Sequence, residues 1–147
     1  KVSSAVADQE RLEGDLGLAR QETFEDLSSR IERSRDALLA VLTEAKRAGR
    51  RVTGYGATSK STTITNYCGI TSDLVEYISD TTPIKQGKYS PGVHIPVLPH
   101  EDFVRQYPDY ALLFAWNHSQ EILAKEEGFR EAGGRWIVYV PEVEVRT

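Results

Sequence analysis

Apolar positions along this chain recur first at helical and then at strand spacing. Residues 1–20 are polar, include Gly14 and Gly17, and carry no sustained apolar period. They read as a polar tail or inter-domain linker. From Glu22 to Ala48 the residues Phe24, Leu27, Ile31, Leu38, Leu39, Val41 and Leu42 recur mostly three or four positions apart. That spacing predicts one amphipathic helix of about 25 residues, ended by Gly49 at its C-cap. Lys46, Arg47, Arg50 and Arg51 crowd its end, where cations complement the helix dipole; a basic patch for a partner is the other reading.

Strands and helices alternate from there. Arg51–Tyr55 is β-leaning, Gly54-Tyr55-Gly56-Ala57 reads as a tight turn, and Ser59–Tyr67 as a helix. Leu74–Ser79 predicts a second strand closed by Asp80, followed by a Pro- and Gly-containing loop from Thr81 to Gly92 and an extended piece, Val93–Leu98. Pro99 opens a short helix to Gln106, and His118–Glu127 reads as another. Tyr110–Ala115 is almost wholly apolar, as a strand covered on both faces should be, and Arg135–Val140 is the last strand. Alternation at this spacing predicts a parallel α/β sheet with Tyr110–Ala115 and Trp136–Val140 central or near-central.

Composition narrows the class. The chain has 147 residues, 39% hydrophobic and 27% charged, with a net charge of −4. A core of this size needs neither disulfide nor metal. A single cysteine, Cys68, excludes an internal disulfide and suits a reducing, cytoplasmic setting. No apolar run of about 18 residues exists to span a membrane, and the acidic balance argues against a nucleic-acid partner. The chain contains no methionine and opens on Lys1, which leads us to expect a domain of a longer protein.

The candidate chemistry gathers around the glycine turn. Gly54-Tyr55-Gly56-Ala57 followed by Thr58, Ser59, Lys60, Ser61 and Thr62 leaves a strand and enters a helix, the context in which backbone N–H groups face an anion. A dinucleotide fingerprint would have a third glycine where Ser59 stands. Lys60 opposes the helix dipole unless an anion sits there; the hydroxyls around it either cap the helix or bind phosphate oxygens. Asp80 is a ribose-binding acid or a turn-initiating aspartate. Lys85, Lys88 and Tyr89 stand on a loop that either contacts a ligand or is merely solvated. Asn117 follows an apolar strand, as a ligand contact or a helix N-cap. His94, His100 and His118 lack metal-ligand spacing, and no nucleophile elbow or paired acids offer a catalytic base, so we expect neither metal site nor catalytic residue here.

These motifs together resemble a known family. The turn Gly54-Tyr55-Gly56-Ala57 through Asn66-Tyr67-Cys68-Gly69-Ile70 comes first, then Asp80 with Lys85-Gln86-Gly87-Lys88-Tyr89 and Pro91-Gly92. Pro108-Asp109-Tyr110 with Ala115-Trp116-Asn117 follows, and Gly133-Gly134 precedes a strand ending in Pro141-Glu142. In this order, over about residues 22–147, they resemble the C-terminal domain of S-adenosylmethionine-dependent C-methyltransferases acting on nucleotide-linked deoxysugars. Thr58, Ser59 and Ser61 depart from the Pro, Ala and Gly that many relatives show.

The resemblance implies a three-layer Rossmann-like parallel sheet flanked by helices over residues 21–147, preceded by a long N-terminal helix. It implies that a central domain outside this chain holds S-adenosylmethionine and the base, that an N-terminal segment outside it binds zinc, and that this domain helps bind the nucleotide-sugar. On that reading the substrate contacts are Tyr55, Gly56, Ala57, Thr58, Ser59, Lys60, Ser61, Asp80, Lys85, Lys88, Tyr89 and Asn117, no cofactor binds in this domain, and the chain alone is inactive. Two other classes stand beside it: a stand-alone NAD-type nucleotide-binding or regulatory module, and an interaction domain docking through its long helix.

Overall fold

A computed structural model describes residues 3–147; Lys1 and Val2 of the polar N-terminal segment lie outside it. The described residues form two compact units, one ending at Arg35 and one beginning at Asp36.

The first unit contains helix α1 (Ser4–Asp15) and the opening turns of helix α2 (Gln21–Arg47). The stretch without an apolar period is therefore largely helical. Ser3 caps α1 by accepting from the Ala5 amide, and Gln9 reaches Glu13 one turn on, local interactions that hold a helix without a buried face. After α1 the Thr23 hydroxyl donates to the Gly17 carbonyl. Val6, Leu12, Phe24, Leu27 and Ile31 all remain exposed.

The second unit begins in α2, whose Leu38, Leu42 and Ala45 are buried. The helix ends one residue before the expected position, and Gly49 closes it with a paired cap: the Gly49 amide donates to Lys46 O and the Arg50 amide to Ala45 O. Then follow β1 (Val52–Tyr55), α3 (Ser59–Cys68), β2 (Ile78–Asp80), β3 (Lys88–Tyr89), β4 (Pro96–Pro99), α4 (His100–Arg105), β5 (Tyr110–Leu113), α5 (Ser119–Lys125), α6 (Glu127–Glu131), β6 (Arg135–Val138) and β7 (Glu144–Arg146). One sheet runs β3-β4-β2-β1-β5-β6-β7. Its five inner strands are parallel and its two edge strands antiparallel.

Both faces of the sheet are covered, which makes three layers. On β5, Leu112 packs with α2 and α3 residues such as Leu42 and Cys68, whereas Ala111 and Leu113 pack with Phe103 of α4 and Phe129 of α6. Every residue from Ala111 to Ala115 is buried, so the near-continuous apolar run has the cause expected of it. Gly54 lies inside β1 rather than in the turn, and a Cβ there would stand 2.6 Å from the Phe114 ring. The turn proper is at Gly56, whose φ of +89° favours glycine.

Three expectations shift in detail. The second strand starts at Ile78, because Leu74–Tyr77 only approaches β1 through single bonds such as Gly54 N–H to Tyr77 O. The helix after β5 breaks in two at Glu126. β3 and β7, short and polar, were not expected from the pattern at all.

The strand order reverses direction at β1. From β1 the chain moves through β2 to β4 on one side, then returns to place β5 and β6 on the other. A doubly wound sheet opens its ligand crevice at such a point, outside the C-terminal ends of the strands.

Candidate functional site

Two adjoining clefts lie at that edge, sharing Thr58 and Lys85 in their walls. The first, of about 330 Å³, runs between the opening turn of α3 (Thr58, Ser61, Thr62) and the segment from Ile84 to Pro91, which supplies Lys85, Lys88 and Tyr89. The second, of about 400 Å³, lies over Tyr55, Gly56, Ser79 and Asp80 and is bounded by Ala115 and by His118, Glu121 and Lys125 near or on α5. The Ser79 hydroxyl is buried in its wall with no hydrogen-bond partner.

The residues singled out from the sequence divide by place. Ala57, Thr58, Ser61, Lys85, Lys88 and Tyr89 line the first cleft; Tyr55, Gly56 and Asp80 line the second, with Thr58 and Lys85. Ser59, Lys60 and Asn117 line neither. The Lys60 ammonium stands 5.8 Å from the centre of the Trp116 ring, a cation–π position. Asn117 is exposed in a short 3₁₀ turn, Trp116–His118, and caps nothing. Thr58 caps α3: its hydroxyl accepts the Ser61 amide at 3.3 Å, while Ser61 donates its own hydroxyl to Thr58 O at 2.7 Å.

Asp80 is the electrostatic centre of this region. Its Oδ2 accepts the Ala57 amide at 2.7 Å and the Lys85 ammonium at 3.2 Å, and its Oδ1 accepts the Thr82 amide at 2.8 Å. Burial pushes the carboxyl up, but the hydrogen bonds from Thr82, Lys85 and Ala57 outweigh it and hold its pKa below the ordinary aspartate value. The bond from the Thr82 amide, two residues on, bears out the turn-initiating reading of Asp80, and the same carboxylate also ties the end of β2 to the turn after β1 through the Ala57 amide.

A second constellation escaped the sequence reading. Glu126, only 4% exposed, accepts the Tyr55 hydroxyl at 2.7 Å and pairs with His100 Nε2 at 2.8 Å. Burial, then the neighbouring Glu126 carboxylate, pushes the Tyr55 phenol far up, so it stays protonated. The ring packs edge-on against Phe103 and Trp136. A signal was present: Glu126 is four residues after Ile122 and three before Phe129, which puts an acid on the apolar side of a helical pattern.

Comparison with known proteins follows the same outline. A C-methyltransferase, NovU of Streptomyces niveus, is 38% identical over 145 residues, which are 99% of this chain and 34% of the relative. The chain thus spans about a third of that relative's length. Residues 1–141, almost the whole chain, match the family described as the C-methyltransferase C-terminal domain, and the chain belongs to that family.

Proposed function

We propose that this domain helps bind a nucleotide-linked deoxysugar for an S-adenosylmethionine-dependent C-methyltransferase, with the methyl-transfer chemistry carried outside this chain. The observation that carries the reading is the first cleft. Lys85 and Lys88 face the opening turn of α3 across it, with Tyr89 and Ile84 as apolar surface. Ammonium groups suit a diphosphate, and an aromatic beside them suits a base or sugar face. The second cleft extends this site past Lys85 toward the hydroxyls of Ser79, Thr81 and Thr82, partners for a hydroxylated sugar.

The residues present do not fit the two groups associated with such enzymes. Among the described residues no three His, Cys, Asp or Glu side chains are grouped to hold a metal ion, so zinc has no site among them. The acid that would take ribose hydroxyls in a nucleoside site, Asp80, is engaged by Ala57, Thr82 and Lys85, so S-adenosylmethionine finds no fitting ribose acceptor there. Among the described residues no helix is long and apolar enough to cross a membrane.

The test is calorimetric titration of the chain with a thymidine-diphosphate deoxysugar and with S-adenosylmethionine. The sugar nucleotide binds and the methyl donor does not. Lys88→Ala weakens sugar-nucleotide binding by roughly 10- to 150-fold, the loss of one charge-assisted contact. Lys60→Ala, whose ammonium is held over Trp116, changes it by less than about twofold, a solvated cation's share. Micromolar binding of the methyl donor, or a folded Lys88→Ala variant with unchanged affinity, defeats the reading.

A further inference from the structure

The loop after β1 has the shape of an anion-binding turn, yet four of its amides are already engaged within the chain. The Gly56 amide donates to Ser79 O at 2.8 Å and the Thr58 amide to Gly56 O at 3.0 Å. The Ser61 amide goes to the Thr58 hydroxyl and the Ala57 amide to Asp80. What a turn of this shape offers a phosphate oxygen, an outward amide at a helix N-terminus, is here offered to a carboxylate of the chain itself. That carboxylate is 6% exposed and is held from three directions, by Ala57, Thr82 and Lys85.

Strand register explains why it is there. Tyr55 pairs with Ser79 across β1 and β2, so Gly56, the first residue past β1, lies beside Asp80, the last residue of β2, whose own pairing is with Pro99 of β4. An aspartate one place past the end of that pairing reaches the turn with its short side chain; a residue one place further on would point elsewhere.

We propose that Asp80 is a specificity-determining residue, a resident anion that fills the Gly56–Ala57 turn and refuses a second anion there. An incoming diphosphate is excluded from the turn by like charge and by the engagement of the Gly56, Ala57 and Thr58 amides, and dinucleotides that seat their diphosphate on those amides are turned away. Anionic ligands are diverted to the neighbouring cleft, where Lys88 has no ion pair among the described residues. Only this diversion rests on the nucleotide-sugar reading; the exclusion holds whatever the physiological ligand is.

Asp80→Asn tests it, because the amide keeps the shape and one acceptor while the charge is removed. Inorganic diphosphate is titrated calorimetrically into wild-type chain and variant at fixed ionic strength. The variant binds it about tenfold more tightly or better, since a like charge within a few ångströms no longer opposes the ligand. Equal affinity within about twofold, in a variant shown to be folded, overturns the proposal and leaves Asp80 a structural tie.

Amide NMR of the ¹⁵N-labelled wild-type chain decides the matter even if the variant does not fold. The Ala57 and Thr82 resonances stay in place as diphosphate is added to its solubility limit. Movement of Ala57 means the ligand displaces Asp80, which overturns the proposal. A parallel titration with the sugar nucleotide separates the two ideas: if no resonance between 84 and 91 responds, the nucleotide-sugar reading fails while the exclusion at Asp80 stands or falls on the diphosphate result alone.

Discussion

Breaking the contact between Tyr55 and Glu126 measures how firmly the floor of the second cleft is built. Tyr55 closes β1 and is 7% exposed, and its hydroxyl meets Glu126 Oε1 at 2.7 Å. The same oxygen takes His100 Nε2 at 2.8 Å, so one carboxylate joins β1, α4 and the break between α5 and α6. A hydrogen bond to a charged acceptor contributes about 1.5–3 kcal/mol. Tyr55→Phe removes that bond but leaves the carboxylate its histidine partner, so the expected loss is about 1–2 kcal/mol. Glu126→Ala deprives both the phenol and the imidazole of their acceptor in a buried place, and the expected loss rises to about 3–5 kcal/mol. The assay is equilibrium urea denaturation of wild type, Tyr55→Phe, Glu126→Ala and the double variant. The coupling energy of that cycle should be about 1–2 kcal/mol, as for residues in direct contact. With a urea dependence of roughly 1–3 kcal/mol/M, Tyr55→Phe shifts the midpoint by about 0.3–2 M and Glu126→Ala by about 1–5 M. A coupling below about 0.5 kcal/mol would refute the geometry, because independent sites add within that margin.

Two further outcomes follow from packing and charge. Gly54→Ala sets a methyl group against the Phe114 ring in the central strand and should lower stability by about 1–3 kcal/mol; Phe114→Leu in the same chain, by shortening the group that is struck, recovers part of the melting temperature, and an unshifted melting temperature for Gly54→Ala alone contradicts the packing. Asp80 and Asp109 both have folded-state pKa values below the ordinary carboxylate range, Asp109 through the Arg51 amide and the Arg50 guanidinium despite some desolvation; their contribution is therefore present above the unfolded value of about 3.9 and is lost as pH falls through the folded one. Urea midpoints should be flat above about pH 5 and decline below about pH 4, and Asp109→Asn should make that acid decline shallower; an unchanged acid slope in the variant argues against the shift at Asp109.

What could be read from the chain alone follows burial. β5 was legible because its residues are apolar toward both helical layers, β1 and β6 because their β-branched and aromatic residues are buried, and the turn at Gly56 because a glycine between a strand and a helix has few other uses. The lysine loop from 83 to 92 came out beside the turn as a doubly wound sheet requires. Helix α1 was not legible, since it buries none of its residues and leaves no apolar period to find. β3 has two residues and β7 three, all polar but Tyr89 and Val145, too short for alternation to show. Asp80 was found as a candidate, but its capture of the Ala57 amide depends on the pairing of Tyr55 with Ser79, a register that local pattern does not encode. Lys60 and Asn117 were picked for their place next to the turn and after β5. The Lys60 ammonium stands over Trp116 and Asn117 lies in a short 3₁₀ turn, placements that no spacing rule anticipates.

The two polar ribbons at the ends of the sheet bear on how this domain tolerates neighbours. Parallel strands rich in Val, Ile and Leu are hazardous when their outermost member is bare, since its unpaired amides can template a foreign strand. Here β3 covers β4 with only Lys88 and Tyr89, and β7 covers β6 with Glu144, Val145 and Arg146, whose charged ends are ion-paired to each other. Each ribbon satisfies the apolar strand inside it and then presents too little backbone, and too much charge, for another chain to extend the sheet. Crowded against copies of itself during synthesis, the domain is therefore guarded against fibrillar growth at the two places where a Rossmann-like sheet is most exposed to it.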